Sequence, residues 1–315
     1  MRNEQQSRRR VLRNASAMAL AGLPLQAASR SEVPIRLGIV AGARSTADID
    51  LAIARVRKLG FPTCQVSIED LSLASAQPLR QALDKHGVEA TALMGHGPGK
   101  TVWNFYEGPL TIGLVPRATR QARMDALKLT ADVAEKAGIP AIHTHCGFLP
   151  ANPNEQDYKE SVAAIKNVAA HCKERGRLFL FETGQEAPIT LLRAIHDIGL
   201  NNLGVNLDMA NLILYGNGNP VDAMDVLGPL VKGLHAKDGL FPTDPKNLGR
   251  EVAIGKGKVD FVGVVEKLKA VNYRGAMTIE REIQGPEQTR DILASKLYLE
   301  GVLQTVYGGA GRPKV

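Results

Sequence analysis

From residue 34 onward the chain alternates between two textures. Short apolar runs have the length and near-continuous apolarity of strands buried on both faces: IRLGIVAG (35–42), FPTCQVSI (61–68), VEATALMGH (88–96), IPAIHTHCG (139–147), RLFLFETG (177–184), LGVNLDMA (203–210), LVKGLHAKD (230–238) and GAMTIERE (275–282). Between them lie longer segments with helical periodicity, at 47–59, 75–86, 116–137, 155–175, 187–198, 260–271 and 287–306, and more weakly at 220–228. Within 116–137, Ala126, Leu129, Val133 and Ala137 share one predicted face. Eight strand–helix units in succession, with no GxGxxG after the first strand, predict an α/β fold of the closed (β/α)8 TIM-barrel type rather than a doubly wound sheet. No linker interrupts 34–306. Two loops are long, 97–115 and 239–259, and both follow strands, which places them on the catalytic face.

Strand parity then places the chemistry, because residues two apart on a strand face the same way. Leu178, Leu180 and Glu182 share a face on the fifth strand, Asn206 and Asp208 on the sixth, His235 and Lys237 on the seventh, and Thr278, Glu280 and Glu282 on the eighth. Each polar group comes at the C-terminal end of its strand, where barrels of this kind carry their active sites. Three carboxylates converging with one imidazole repel one another unless a cation sits among them. The set Glu182, Asp208, His235 and Glu280 suits one divalent ion, Mn²⁺, Co²⁺, Mg²⁺ or Zn²⁺, with positions left for water or substrate. One carboxylate at a strand end is usually a loop or cap residue; four in register on successive strands are what point to a site.

Composition leaves this picture standing. The 315 residues are 44% hydrophobic and 23% charged, enough for one barrel, and with only 4% aromatics the core must be aliphatic. The net charge of +7 is concentrated at the start: residues 1–30 hold six arginines against Glu4 alone, leaving +2 for the rest, so no general nucleic-acid footprint remains. SRRRVLR (Ser7 to Arg13), the apolar run Ala15–Leu25 and then Ala27, Ala28 and Ser29 resemble a twin-arginine export signal. The expected organisation is a signal peptide over 1–30 and a single barrel domain over 31–315, exported to the periplasm or beyond. The apolar run is too short for a permanent membrane span. Cys64, Cys146 and Cys172 form no disulfide framework and read as small buried residues. Association into a homo-oligomer stays open.

Several stretches carry a family resemblance: FETG at Glu182, GVNLDMANLI at Asp208, GLHAKDG at His235, LGREVAIGKGKVDF at 248–261 and YRGAMTIERE at Glu280. Together they resemble the xylose isomerase-like barrels of the sugar phosphate isomerase/epimerase superfamily, which also contains endonuclease IV and the ketose 3-epimerases. The resemblance implies a single Mn²⁺-type site built from Glu182, Asp208, His235 and Glu280. It also implies that Glu182 and Glu280 act both as ligands and as acid/base groups on a small sugar. Epimerases of the group often have a histidine three residues after the aspartate. Here Asn211 stands there, able to hydrogen-bond a sugar hydroxyl but not to shuttle a proton.

The remaining candidates are substrate-binding residues. His145 ends the fourth strand on the face of His143, whose expected role is a hydrogen-bonded barrel residue. His96 ends the third strand before GPGK (97–100), a loop without the GK[ST] phosphate pattern. Trp103, Phe105 and Tyr106 stand ready either to stack on a sugar ring or to pack a lid. Lys237 is expected to bind a substrate oxygen or to pair with Asp238 or Glu282, and Arg250 and Glu251 to reach substrate from the loop after strand seven. The favoured function is a metal-dependent sugar isomerase or epimerase working through an enediolate. The alternatives are a lyase or deglycosidase eliminating the C1 group of 3-keto-glycosides, and a non-catalytic sugar-binding barrel. An endonuclease-like role needs about three metals and a basic groove, which the near-neutral remainder of the chain does not offer.

Overall fold

A computed structural model of the chain describes residues 33–308. The export signal expected over residues 1–30 lies outside the described residues. Eight parallel strands close into a barrel: β1 (Arg36–Ala43), β2 (Thr63–Ile68), β3 (Glu89–Met94), β4 (Ala141–Thr144), β5 (Leu178–Glu182), β6 (Leu203–Asp208), β7 (Val231–Ala236) and β10 (Ala276–Ile279). The order around the barrel is β1-β10-β7-β6-β5-β4-β3-β2, so each strand pairs with its neighbours in sequence and β10 closes onto β1. Helices α1 (Ile49–Lys58), α2 (Ala76–His86), α4 (Arg117–Ala137), α5 (Gln156–Glu174), α6 (Pro188–Ile198), α8 (Pro220–Leu227) and α9 (Phe261–Ala270) connect the strands, and α10 (Pro286–Tyr307) follows the last of them. Proline opens α6, α8 and α10, where the missing N–H costs nothing and the fixed φ suits a helix start.

Three small elements were not predicted. Loop 97–115 contains the short helix α3 (Gly108–Thr111), and α7 (Asn211–Leu214) follows β6 directly. Loop 239–259 is tied down by a two-residue hairpin, β8 (Asp238–Gly239) against β9 (Glu251–Val252). The buried stripe of α4 is also rotated from the predicted face. Leu127, Thr130, Ala131, Val133, Ala134 and Ala137 are buried, whereas Ala126 and Leu129 are only half-buried. Arg123 joins that stripe: its guanidinium is buried because it donates to the carbonyls of Pro98, Lys100 and Gly113, and apolar periodicity cannot register such a residue.

The core has three parts, one of them at the barrel mouth, where Ala210, Leu214 and Tyr215 pack against Phe105, Phe148 and Leu248. Most of it fills the layer between strands and helices, from Ile39 and Val66 on the strands to Val133, Ile165 and Leu299 on the helices. Inside the barrel a small apolar plug of Ala92, Ala141 and Leu180 closes the floor. Above this plug the inward positions turn polar, with Gln65, His143, Glu182, Asn206, Asp208, His235 and Thr278 all buried. The three cysteines are buried and free, as their spacing implied. Among the described residues no helix is long and apolar enough to cross a membrane.

Candidate metal centre and active site

The stagger of the closed barrel brings the four ligand candidates to one height. Glu182 on β5 is level with Asn206, Asp208 on β6 is level with His235, and His235 on β7 is level with Thr278, two residues before Glu280. The register therefore climbs around the barrel in step with the strand tilt. One ligand atom from each of Glu182, Asp208, His235 and Glu280 lies within 4.8 Å of all the others. The first three are buried and Glu280 nearly so.

His235 is oriented from behind. Its Nε2 lies 2.6 Å from Gln65 Oε1, and Gln65 in turn donates from Nε2 to Asn206 Oδ1 at 2.8 Å. A hydrogen on Nε2 satisfies Gln65 and leaves Nδ1 facing the carboxylates. Nδ1 is 2.9 Å from Glu182 Oε1, 3.3 Å from Glu280 Oε2 and 3.8 Å from Asp208 Oδ2. Gly233 makes room for this arrangement, since a Cβ there would come within 2.4 Å of Asn206 Oδ1. Glu182 is also held on its other oxygen, 2.9 Å from His143 Nδ1, with His145 Nε2 3.6 Å from Oε1.

The electrostatics follow from burial set against these neighbours. Burial pushes the Glu182 carboxyl up, but His145, His235 and His143 outweigh it and hold the group well below the usual carboxylate range. Burial likewise opposes the Glu280 anion, and Lys237 followed by His235 overcomes it. Asp208 goes the other way: burial prevails over Lys237 and raises its carboxyl. Its Oδ1 accepts the Asn211 N–H at 2.7 Å, while Oδ2 is buried without a hydrogen-bond partner. A buried carboxylate oxygen with no donor is costly, and a cation among these four groups would satisfy it. The donor set and its spacing thus fit a divalent ion held by Glu182, Asp208, His235 and Glu280.

Lys237 pairs with Glu282 at 2.7 Å and Glu280 at 3.1 Å, and reaches Asn211 Oδ1 at 3.3 Å. The expected alternative, a pair with Asp238, does not form. The Asp238 carboxylate is turned outward to accept the backbone N–H groups of Gly239, Gly255, Gly257 and Val259. Arg281 leaves the barrel axis, as strand alternation implies, and binds Glu251 and Asp291.

Two cavities open beside the four ligands. The first, of about 200 Å³, is lined by Glu182, Glu280, His96, His143 and His145. His96 bonds Ser67 at 2.8 Å, and burial, then His143, push its imidazole below the usual range. The second, of about 380 Å³, is lined by Asn211, Tyr215, Lys237, Asn247 and Glu251. Trp103, His145 and Glu282 belong to both. Of the predicted substrate-binding residues, His96, His145, Asn211 and Lys237 come together here. Arg250 does not: its side chain is exposed and lines neither cavity, and its backbone carbonyl serves the hairpin by accepting from Leu240.

Sequence reasoning missed Gln65, Gln185 and Tyr215, while His143 is the hydrogen-bonded barrel residue it was expected to be. His143 touches the proposed base Glu182 directly. Gln185 bonds both His145 and the Tyr215 hydroxyl. The parity argument could have found Gln65, a polar residue at an inward position of β2 between Thr63 and Ser67, had it been applied to all eight strands.

With this geometry in place, comparison gives the class. The profile of the xylose isomerase-like TIM barrel family matches residues 53–298, and the chain belongs to that family. The crystal structure of a xylose isomerase domain protein from Planctomyces limnophilus superposes with a TM-score of 0.79 at 33% identity, covering 86% of this chain and 99% of that one. The Escherichia coli 3-keto-D-glucoside 4-epimerase YcjR shares the fold, with a TM-score of 0.64 at 15% identity over 85% of this chain and 99% of its own. Escherichia coli SgbU, provisionally named an L-ribulose-5-phosphate 3-epimerase, is 33% identical over 101 residues, 31% of this chain and 34% of SgbU. The curated relatives are matched over only 34–39% of their length.

Proposed function

We propose that the protein is a divalent-metal-dependent isomerase or epimerase that removes a proton from the carbon beside the carbonyl of a sugar or sugar derivative. The observation behind this reading is the convergence of Glu182, Asp208, His235 and Glu280 within 4.8 Å, with Asp208 Oδ2 buried without a hydrogen-bond partner and its neighbours His235 Nδ1 and Lys237 Nζ both 3.8 Å away. A bound divalent ion, Mn²⁺ first among the candidates, supplies the Lewis acidity that a weak carbon acid needs for its enediolate. The proton transfers fall to the chain itself. His143 Nδ1 holds Glu182 Oε2, and His145 stands near Oε1; together they fix the carboxylate and favour its ionised form, as a general base needs. Glu280, from the third strand along, is kept ionised by Lys237 and His235. Epimerisation follows when the carboxylate on one flank takes the proton and the carboxyl on the other flank, having taken a proton from solvent, returns one to the opposite face; exchanging the two roles runs the reaction in reverse. The sugar epimerases among the structural neighbours support the same class of substrate.

The test is exchange of the substrate α-proton with deuterated solvent, screened over keto and aldo sugars. Glu182→Gln or Glu280→Gln should abolish it, and undiminished exchange in both variants would reject the acid/base assignment. The second cavity favours one further reading on the same site. With a ketone at C3 of a glycoside, abstraction at C2 expels the C1 oxygen substituent and leaves a C1=C2 double bond. Release of aglycone from a 3-keto-glycoside, rather than a C2 or C4 epimer, identifies that outcome.

A further inference from the structure

The first cavity, at about 200 Å³, falls short of the roughly 300–1,000 Å³ usual for pockets that enclose drug-sized ligands, and the second reaches into that range by itself. None of Glu182, Asp208, His235 and Glu280 lines the second cavity, so a ring placed over those four residues does not fill it. Its lining is of two kinds: polar groups from Lys237, Asn211 and Glu251, and apolar surface from Trp103, Tyr215 and Leu248. A pyranose ring has the same two-sided character, hydroxyls at its edge and C–H bonds on its face.

Trp103, the partition between the cavities, is held firmly. Its neighbours pair with the loop on the opposite rim, through a bridge between Asn104 and Asn247 and a 2.9 Å hydrogen bond from the Phe105 N–H to the Lys246 carbonyl. The Val102 N–H donates to Thr111 Oγ1, and the indole stands edge-on to His145 at 5.0 Å. The two long loops therefore clasp across the barrel mouth and set an aromatic plane, half exposed, between two compartments.

We infer that the second cavity is a subsite for the non-reacting ring of a two-ring substrate, a disaccharide or other glycoside, with the reacting ring on the Glu182–Glu280 side and Trp103 between the two. This rests on the proposed sugar chemistry for the placement of the reacting ring, but its test does not need turnover. Trp103 is the one tryptophan of the chain, so its emission reports filling of either compartment. The manganese-loaded protein is titrated with glucose, fructose and methyl glucoside, and with sucrose, maltose and cellobiose. At least one disaccharide is expected to bind about tenfold or more tighter than its component monosaccharides. Asn247→Phe, which fills the second cavity from its rim, should erase that advantage and leave monosaccharide binding unchanged. Leu248→Phe fills it from a second wall and guards against a folding defect in the first variant. Equal affinity for one and two rings, or equal weakening of both by the filling variants, overturns the subsite. Tight disaccharide binding without α-proton exchange overturns the isomerase reading and leaves the subsite standing.

Discussion

Gln65 touches none of the three carboxylates, yet it decides which nitrogen of His235 faces them. Removing such a partner typically weakens metal binding by about 10–100-fold. Gln65→Leu is therefore expected to raise the Mn²⁺ dissociation constant by about that factor in calorimetric titration, with thermal unfolding as the control for folding. Glu186 offers a separate test away from the metal ligands. Burial raises its carboxyl to about 8, and Oε2 has no hydrogen-bond partner. Its folded pKa exceeds the unfolded value, so the native state holds a proton that the unfolded state releases. Stability is full below the unfolded pKa and falls as pH rises toward about 8. The slope is at most about 1.4 kcal/mol per pH unit. Glu186→Gln should flatten the decline between pH 5 and pH 8 in thermal melts and raise stability at the upper end; an unchanged pH profile would show that the group does not titrate there.

At the scale of elements, the loop after β7 is organised by one carboxylate. Asp238 gathers four backbone N–H groups, three of them from the segment 255–259. Gly257 must be glycine for the loop to come so close, since a Cβ would sit 2.1 Å from Asp238 Oδ1. Asp238→Ala strands these donors and is expected to destabilise the protein by about 1–3 kcal/mol in urea unfolding. Substrate affinity should fall with it, because the same loop carries Asn247 and Glu251 into the second cavity. The rotated stripe of α4 is a lesson at this scale too. Apolar periodicity finds the helix, but the face it buries is centred on Leu127, Ala131 and Ala134 and takes in Val133 and Ala137 at its edge, with Arg123 on it because three carbonyls satisfy its guanidinium.

For the whole molecule, a cation held by Glu182, Asp208, His235 and Glu280 would couple binding to stability. Mn²⁺ at about 100 times its dissociation constant should raise the unfolding free energy of metal-free protein by about 2.7 kcal/mol. Asp208→Asn should cancel that gain, measured as the shift in melting temperature with and without metal. From the arginine-rich start of the sequence we propose that the protein is exported folded. Residues 1–30 fused to a folded reporter should carry it out of the cytoplasm, and replacing Arg8, Arg9 and Arg10 by lysine should retain it; export that survives the replacement speaks against the twin-arginine route.

The sequence by itself determined the eight strand–helix units, the closed barrel and the convergence of Glu182, Asp208, His235 and Glu280. Those properties rest on local periodicity: a strand repeats every two residues, a helix every 3.6, and parity alone tells which side chains point inward. Tertiary structure alone decided how the ligands are held and what surrounds them. His235 meets Gln65 across 170 positions of chain, His143 meets Glu182 across 39, and the two rim loops clasp at Asn104 and Asn247. No periodicity encodes such contacts, because they depend on the stagger with which the barrel closes and on loops whose paths are fixed by the groups they meet.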